Sequence, residues 1–185
     1  MCGITGFVKY SDFDKDIIKN MTETLSLRGP NKLNIWQDVN NNIALGHTRL
    51  SIQDLSDAGN QPMHSMNNRY ILIFNGEIYN HKEIRSYLEK KFKISWKSSS
   101  DTETLLEALS NLGVKNTLSL INGMFAFALF DKELKKLTLG RDRVGEKPLY
   151  FGFNNNVFFF GSELKSFHPH PDWNPRISNN ALNLY

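Results

Sequence analysis

Four short apolar runs crowd the later part of this chain: GMFAFALFD at 123–131, KLTLGRD at 136–142, PLYFGF at 148–153 and NVFFFGSE at 156–163. Each has strand length and is rich in aromatic or branched residues, and connections such as DKELK and NNN are too short for a crossover helix. The pattern predicts an antiparallel meander. Earlier in the chain, Gly3 to Tyr10 has strand character, LNIWQDV and NIALGHTRL flank an Asn-rich turn in the manner of a hairpin, and YILIF is a buried strand. Between these, Ile17, Ile18, Met21 and Leu25 recur at helical spacing and end near Arg28-Gly29-Pro30. Ile84, Tyr87, Leu88 and Phe92 mark a second helix. Ser100 and Glu103 stand at capping-box spacing before Leu105, Leu106 and Leu109, which begins a third. The sum is α+β with mostly antiparallel sheet. After the prolines of HPHPDWNP the final ALNLY has the character of a helix start, and the chain is expected to be a fragment.

With 185 residues, 40% of them hydrophobic and thirteen Phe, the chain has the material for a well-filled core. Its longest apolar runs are too short to cross a bilayer, so no membrane span is expected. The net charge of +3 comes from scattered lysines without a basic stripe, which argues against nucleic acid as a partner. The N-terminus lacks the charged start, apolar run and small-residue cleavage site of a secretory leader, and one Cys forms no internal disulfide. A reducing cytoplasm is the expected location. His168 and His170 lie in the Pro-rich tail without supporting carboxylates or thiols, and no metal site is expected.

The one cysteine is the second residue of the chain, in MCGITGF. A thiol of ordinary pKa, about 8.5, is mostly protonated at neutral pH and needs a base to act as a nucleophile. Position two offers one. If Met1 is removed, the freed α-amine belongs to the same residue, titrates near about 7.7–8.0 and can relay a proton to and from the sulfur. Position alone also fits a small residue at the start of a strand.

MCGITGF is accompanied, in order, by LRGPN at 27–31, GHTRLSIQDLSDAGNQPM at 46–63, FNGEIYNH at 74–81, SDTETLL at 100–106, INGMFAFALFD at 121–131, GRDRVGEKPLYFG at 140–152 and FGSELKSF at 160–167. The set closely resembles the glutamine-hydrolysing domain of asparagine synthetases, a class II glutamine amidotransferase with an N-terminal nucleophile fold, over nearly the whole chain. That resemblance implies a four-layer αββα sandwich of two antiparallel sheets, with L-glutamine as the substrate.

The matched residues then take expected roles. Cys2 is the nucleophile, and the side-chain amide of Asn75 with the backbone N–H of Gly76 serves the oxyanion. Asn-Gly is also a hairpin signal, although the EIYNHKEIRSYL that follows has loop and helix character. Arg49 corresponds to the arginine that grips the α-carboxylate of glutamine, a task suited to a planar guanidinium. Glu77 and Asp101 correspond to the acceptors of the α-ammonium, and Ile52 to a backbone contact. Asp101 also suits a helix N-terminus on electrostatic grounds alone. Leu27 and Asn31 stand where the family usually has His and Asp, and Arg141, Asp142 and Arg143 are expected to form a packing charge network.

The resemblance also implies a second domain that activates aspartate with ATP, and its Ser-Gly-Gly phosphate loop has no counterpart in these residues. The chain by itself is expected to use no cofactor, ATP and Mg²⁺ belonging to that synthetase domain, and to release ammonia for it. Expected partners are thus L-glutamine and the synthetase domain, with a homodimer also open. Two alternatives are a glutaminase that feeds another acceptor, such as a cell-surface sugar or other carboxylate, and a non-catalytic module that keeps the fold.

Overall fold

Burial on both faces of β1 (Gly3–Lys9) sets the plan of the molecule: Ile4 faces one apolar layer and Phe7 another, both fully buried. The computed structural model describes residues 1–9, 15–176, 178 and 180, so Tyr10 and the ALNLY helix expected at the C-terminus lie outside the described residues. Around β1 the chain builds α1 (Lys15–Glu23), β2 (Lys32–Asp38), β3 (Ile43–Arg49), β4 (Met63–His64), β5 (Tyr70–Ile78), α2 (His81–Lys91), α3 (Asp101–Leu112), α4 (Val114–Leu120), β6 (Gly123–Asp131), β7 (Lys136–Arg141), β8 (Tyr150–Asn154) and β9 (Val157–Gly161).

The strands form a five-stranded sheet in the order β2-β3-β1-β9-β8 and a four-stranded sheet in the order β4-β5-β6-β7, every pairing antiparallel. Ile4, Leu45, Ile71, Ile73, Ala126 and Phe160 pack between the two sheets. Outside the first sheet, Ile18 and Met21 of α1 meet Phe7, Phe159 and Phe167. Outside the second, Leu105, Leu106 and Leu109 of α3 meet Phe74, Phe125 and Phe127, with α2 and α4 beside α3. This is the expected helix, sheet, sheet, helix sandwich. Phe7, Phe127, Phe159, Phe160 and Phe167 are each sealed from solvent, and burial of such a ring stabilises by about 1.5–3 kcal/mol.

The expected continuous meander divides. β6 and β7 pair in one sheet, β8 and β9 in the other, and residues 142–149 carry the chain across. Leu149 drives that crossing by inserting between the sheets. Asp142 fixes its shape, accepting from the backbone N–H groups of Phe125 at 3.1 Å, Glu146 at 2.8 Å and Lys147 at 3.0 Å. The charge network expected of Arg141, Asp142 and Arg143 is therefore replaced by side chains that bind backbone. Arg141 donates to the carbonyls of Lys147 at 2.7 Å and Gly145 at 2.6 Å, and among the described residues none of the three joins an ion pair.

The local signals elsewhere are met in detail. Asn42, at φ 56°, closes the β2–β3 hairpin, and Asn155 and Asn156 turn β8 into β9 at φ 47° and 64°. Ser100 caps α3 by accepting from the Glu103 N–H at 3.2 Å, whereas the Glu103 carboxylate reaches back past Ser100 to the N–H groups of Lys97 at 2.9 Å and Ser98 at 2.7 Å. The capping box is thus half as anticipated. α4 was not anticipated at all, because Thr, Ser and Asn break its apolar pattern and Gly113, at φ 77°, separates it from α3.

Candidate active site

The edge of β5 beyond short β4 is where the backbone becomes available for chemistry. Phe74 N–H donates to Gln61 Oε1 at 2.6 Å and Ile78 N–H to Asp101 Oδ2 at 2.9 Å, both away from β6. A strand alternates with a period of two, so the Gly76 N–H between them points the same way. It faces the cavity. Phe125, opposite Gly76, has its own N–H and C=O engaged with Asp142, consistent with that orientation. Asn-Gly therefore lies within a strand and makes no turn. Gly is required here because a Cβ would stand 2.3 Å from the Met124 carbonyl oxygen and 2.7 Å from Phe125 Cα.

The cavity occupies about 140 Å³ and brings together Cys2, Arg49, Ile52, Asn75, Gly76, Glu77 and Asp101, every site residue expected from the sequence. Cys2 reaches it from the start of β1, Arg49 from the end of β3, Asn75 to Glu77 from β5, and Asp101 from the first turn of α3. Asn75 is 1% exposed, and its Nδ2 has no hydrogen-bond partner among the described residues. Leaving a buried amide donor unsatisfied typically costs about 1–3 kcal/mol, so an open donor beside an open N–H at Gly76 marks a place for an anionic or carbonyl oxygen.

Among the described residues the hydrogen bonds of Cys2 Sγ are to backbone: from the Leu50 N–H at 3.4 Å and to the Leu50 carbonyl at 3.8 Å. Burial raises the thiol above its ordinary pKa, opposed by the Leu50 hydrogen bond, the N-terminal charge and Arg49. The thiol thus requires a base, and among the described residues no side chain offers one within hydrogen-bond reach of the sulfur. His47 is fully buried behind Asn75 and donates from Nε2 to the Phe74 carbonyl at 3.2 Å. Desolvation holds its pKa to about 3, so it is a neutral strut between the sheets and not the base. The Cys2 carbonyl is held by Arg28 Nε at 2.9 Å, and Arg28 pairs with Glu163 at 3.0 Å. This gives the LRGPN segment its place under the nucleophile, although Leu27 itself is exposed.

Arg49 is 7% exposed and caged by the loop after β3. It donates to the Ser56 carbonyl at 2.8 Å, Asn60 Oδ1 at 2.9 Å and the Asp54 carbonyl. Nε–H and one Nη2–H are left for a ligand, since a guanidinium has five donors. Gly59 makes room for it: a Cβ there would stand 2.3 Å from Nη2. Across the cavity, burial raises the Asp101 carboxyl above the ordinary range while the Ile78 N–H opposes it, and Gln53 bridges the Asp101 N–H at 3.4 Å to Glu77 at 3.5 Å. Positive and negative anchors therefore stand in one cavity, as a zwitterion requires. Ile52 contributes from the same loop, its side chain 75% exposed.

Lys147, which lies in the GRDRVGEKPLYFG motif but is assigned no role from the sequence, also lines the cavity and is 7% exposed. Nothing in its local sequence distinguishes it from a surface lysine; its position depends on the crossing loop between the sheets. Among the described residues no three His, Cys, Asp or Glu side chains are grouped to hold a metal ion, and no helix is long and apolar enough to cross a membrane.

Comparison with known proteins meets this geometry from another side. The family described as a glutamine amidotransferase domain matches residues 1–185. Asparagine synthetase [glutamine-hydrolyzing] 3 of Bacillus subtilis is 36% identical over 98% of this chain, and asparagine synthetase B [glutamine-hydrolyzing] of Escherichia coli is 34% identical over 91%. The chain spans 30% of the length of each. Among solved structures, glutamine phosphoribosylpyrophosphate amidotransferase from B. subtilis superimposes with a TM-score of 0.75 at 23% identity, over 90% of this chain and 43% of that one, which shows a shared fold. With a family match along its whole length and a cavity that assembles its motif residues, the chain belongs to the glutamine amidotransferase domain family.

Proposed function

We propose that the chain hydrolyses L-glutamine to glutamate and ammonia through a thioester on Cys2. The observation that carries this reading is the cavity itself, which sets a half-buried thiol between anchors of opposite charge and beside Asn75, whose Nδ2 has no partner among the described residues. Arg49 holds the α-carboxylate, and Asp101 and Glu77 hold the α-ammonium, leaving the side-chain carboxamide directed toward Cys2. Once Met1 is removed, the α-amine of Cys2 takes the thiol proton as the sulfur attacks the carboxamide carbon. The oxyanion forms at Asn75 Nδ2 and the Gly76 N–H. Collapse of this intermediate breaks the C–N bond, and the amine returns its proton to the departing ammonia. A water then gives a proton to the amine and attacks the thioester, releasing glutamate and restoring the thiol.

The names of the synthetase relatives support a destination for the ammonia. We infer that the ammonia serves aspartate activated by ATP in a synthetase domain outside this sequence, with ATP and Mg²⁺ bound there and no cofactor needed in this chain. A cytoplasmic setting, which keeps the single thiol reduced, suits that role.

Glutamate release from glutamine by the purified chain tests the reading, and two variants divide the work. Arg49→Ala is expected to raise KM with kcat largely kept, because the carboxylate is bound in ground and transition states alike. Asn75→Ala is expected to lower kcat by roughly 10²–10³ with little change in KM, the usual effect of losing one oxyanion donor. Its fold should persist, since Asn75 Nδ2 bonds to nothing that the change would orphan. Absence of glutamate release from folded chain lacking Met1 would overturn the proposal.

A further inference from the structure

Lys147 is a buried cation without an acid. Its side chain is 7% exposed, its Nζ enters no ion pair among the described residues, and its one polar contact is Met1 Sδ at 3.5 Å. Its backbone is pinned on both sides, N–H to Asp142 at 3.0 Å and C=O to Arg141 at 2.7 Å, and Pro148 follows. The ammonium is thus built into the cavity wall. Met1 Sδ is separated from the Cys2 nitrogen by a short span of bonds, about 6 Å when fully extended, so the ammonium lies within about 10 Å of that nitrogen.

Other charged groups surround this point, with Arg49, Asp54, Glu77 and Asp101 lining the same cavity. Arg28, under the Cys2 carbonyl, is paired with Glu163 at 3.0 Å, and Arg49 from β3 shares the cavity with Glu77 from β5 and Asp101 from α3. The Asp54 carboxylate accepts from Ser56 and Ser99, and the Asp142 carboxylate accepts from the backbone N–H groups of Glu146 and of Lys147 itself. Among the described residues the Lys147 ammonium joins no ion pair, and the group it touches is the residue whose removal frees the Cys2 amine.

We propose that Lys147 is a positioning residue for the base: its positive charge faces the Cys2 α-amine and keeps that amine in the free-base form near neutral pH. This rests on the reading that the amine is the base for Cys2. A protonated amine within about 10 Å of a fixed ammonium is disfavoured, by roughly one pH unit at an effective dielectric constant near 20. The sign follows directly: a like charge lowers the pH at which the amine gives up its proton, enlarging the fraction able to accept the thiol proton at pH 7.

The experiment uses the full chain lacking Met1, confirmed by intact mass, with Lys147→Met, Lys147→Gln and Lys147→Arg. Because Cys2 is the only cysteine, ¹⁵N-cysteine labelling gives one amine resonance whose titration is read without substrate. Lys147→Met and Lys147→Gln are expected to move that titration up by about one pH unit and to shift the acidic limb of kcat/KM equally, so that activity falls several-fold at pH 7 and recovers above about pH 9. Lys147→Arg keeps the charge and is expected to leave both near the parent values. An amine titration unmoved in whichever charge-removing variant folds overturns the proposal, as does a loss of activity that high pH does not restore. A shifted titration in protein that releases no glutamate would instead uphold the Lys147 effect and reject glutamine hydrolysis.

Discussion

Cys2→Ala is expected to abolish glutamate release, by roughly 10⁶-fold, while leaving glutamine binding within a few-fold of the parent, the scale seen when a covalent nucleophile is deleted. The division follows from the geometry. Among the described residues the sulfur hydrogen-bonds to the Leu50 backbone and to no substrate anchor, whereas Arg49 is fixed by the loop after β3 and Asp101 by the Ile78 N–H. Calorimetric titration with glutamine beside a glutamate assay checks both halves. Equal loss of binding in a folded Cys2→Ala chain would contradict the separation of roles, and residual turnover near the parent rate would remove Cys2 from the chemistry.

The residues of the cavity were legible in the sequence because each lies in a motif whose residue type suits one end of glutamine. Their environment was not. Nothing in HTRL announces that the Arg49 guanidinium is caged by carbonyls of residues 54 and 56, since that depends on how the following loop folds back. Asn-Gly carried the local signature of a turn, yet register places Asn75 opposite Ala126 and Gly76 opposite Phe125 in mid-strand. Pairing over a sequence separation of about fifty residues overrode a two-residue preference, and the aim of the Gly76 N–H follows from that pairing.

The fold divides in the same way. Strand positions and the antiparallel sense were readable because period-two burial and short turns are local properties. The assignment of β8 and β9 to the other sheet was not, because it turns on Leu149 and the Asp142 hub, which stand at the ends of runs that carry strand character locally and no sign of a crossing between sheets. Lys147 lies between the two, so the least legible part of the fold also placed the one buried cavity cation that the motifs left unassigned.

Retention of Met1 is expected to silence the enzyme as completely as loss of the thiol, although every side chain of the site remains. Burial raises the Cys2 thiol above its ordinary pKa, and among the described residues no side-chain base stands within hydrogen-bond reach of it. In the proposed mechanism the amine of Cys2 is the proton acceptor, and a peptide bond to Met1 turns it into an amide nitrogen that accepts no proton. Met1 also lines the cavity and sets its sulfur against Lys147, in the space glutamine would enter. Two preparations decide the matter: one cleaved to expose Cys2, the other carrying an uncleavable extension before Met1, each verified by intact mass. The exposed form is expected to release glutamate with activity climbing as pH rises, since the amine must lose its proton to act as base, and the extended form is expected to be inactive at every pH. Full activity in the extended form would show that the thiol is deprotonated by another route and that the Cys2 amine is not its base.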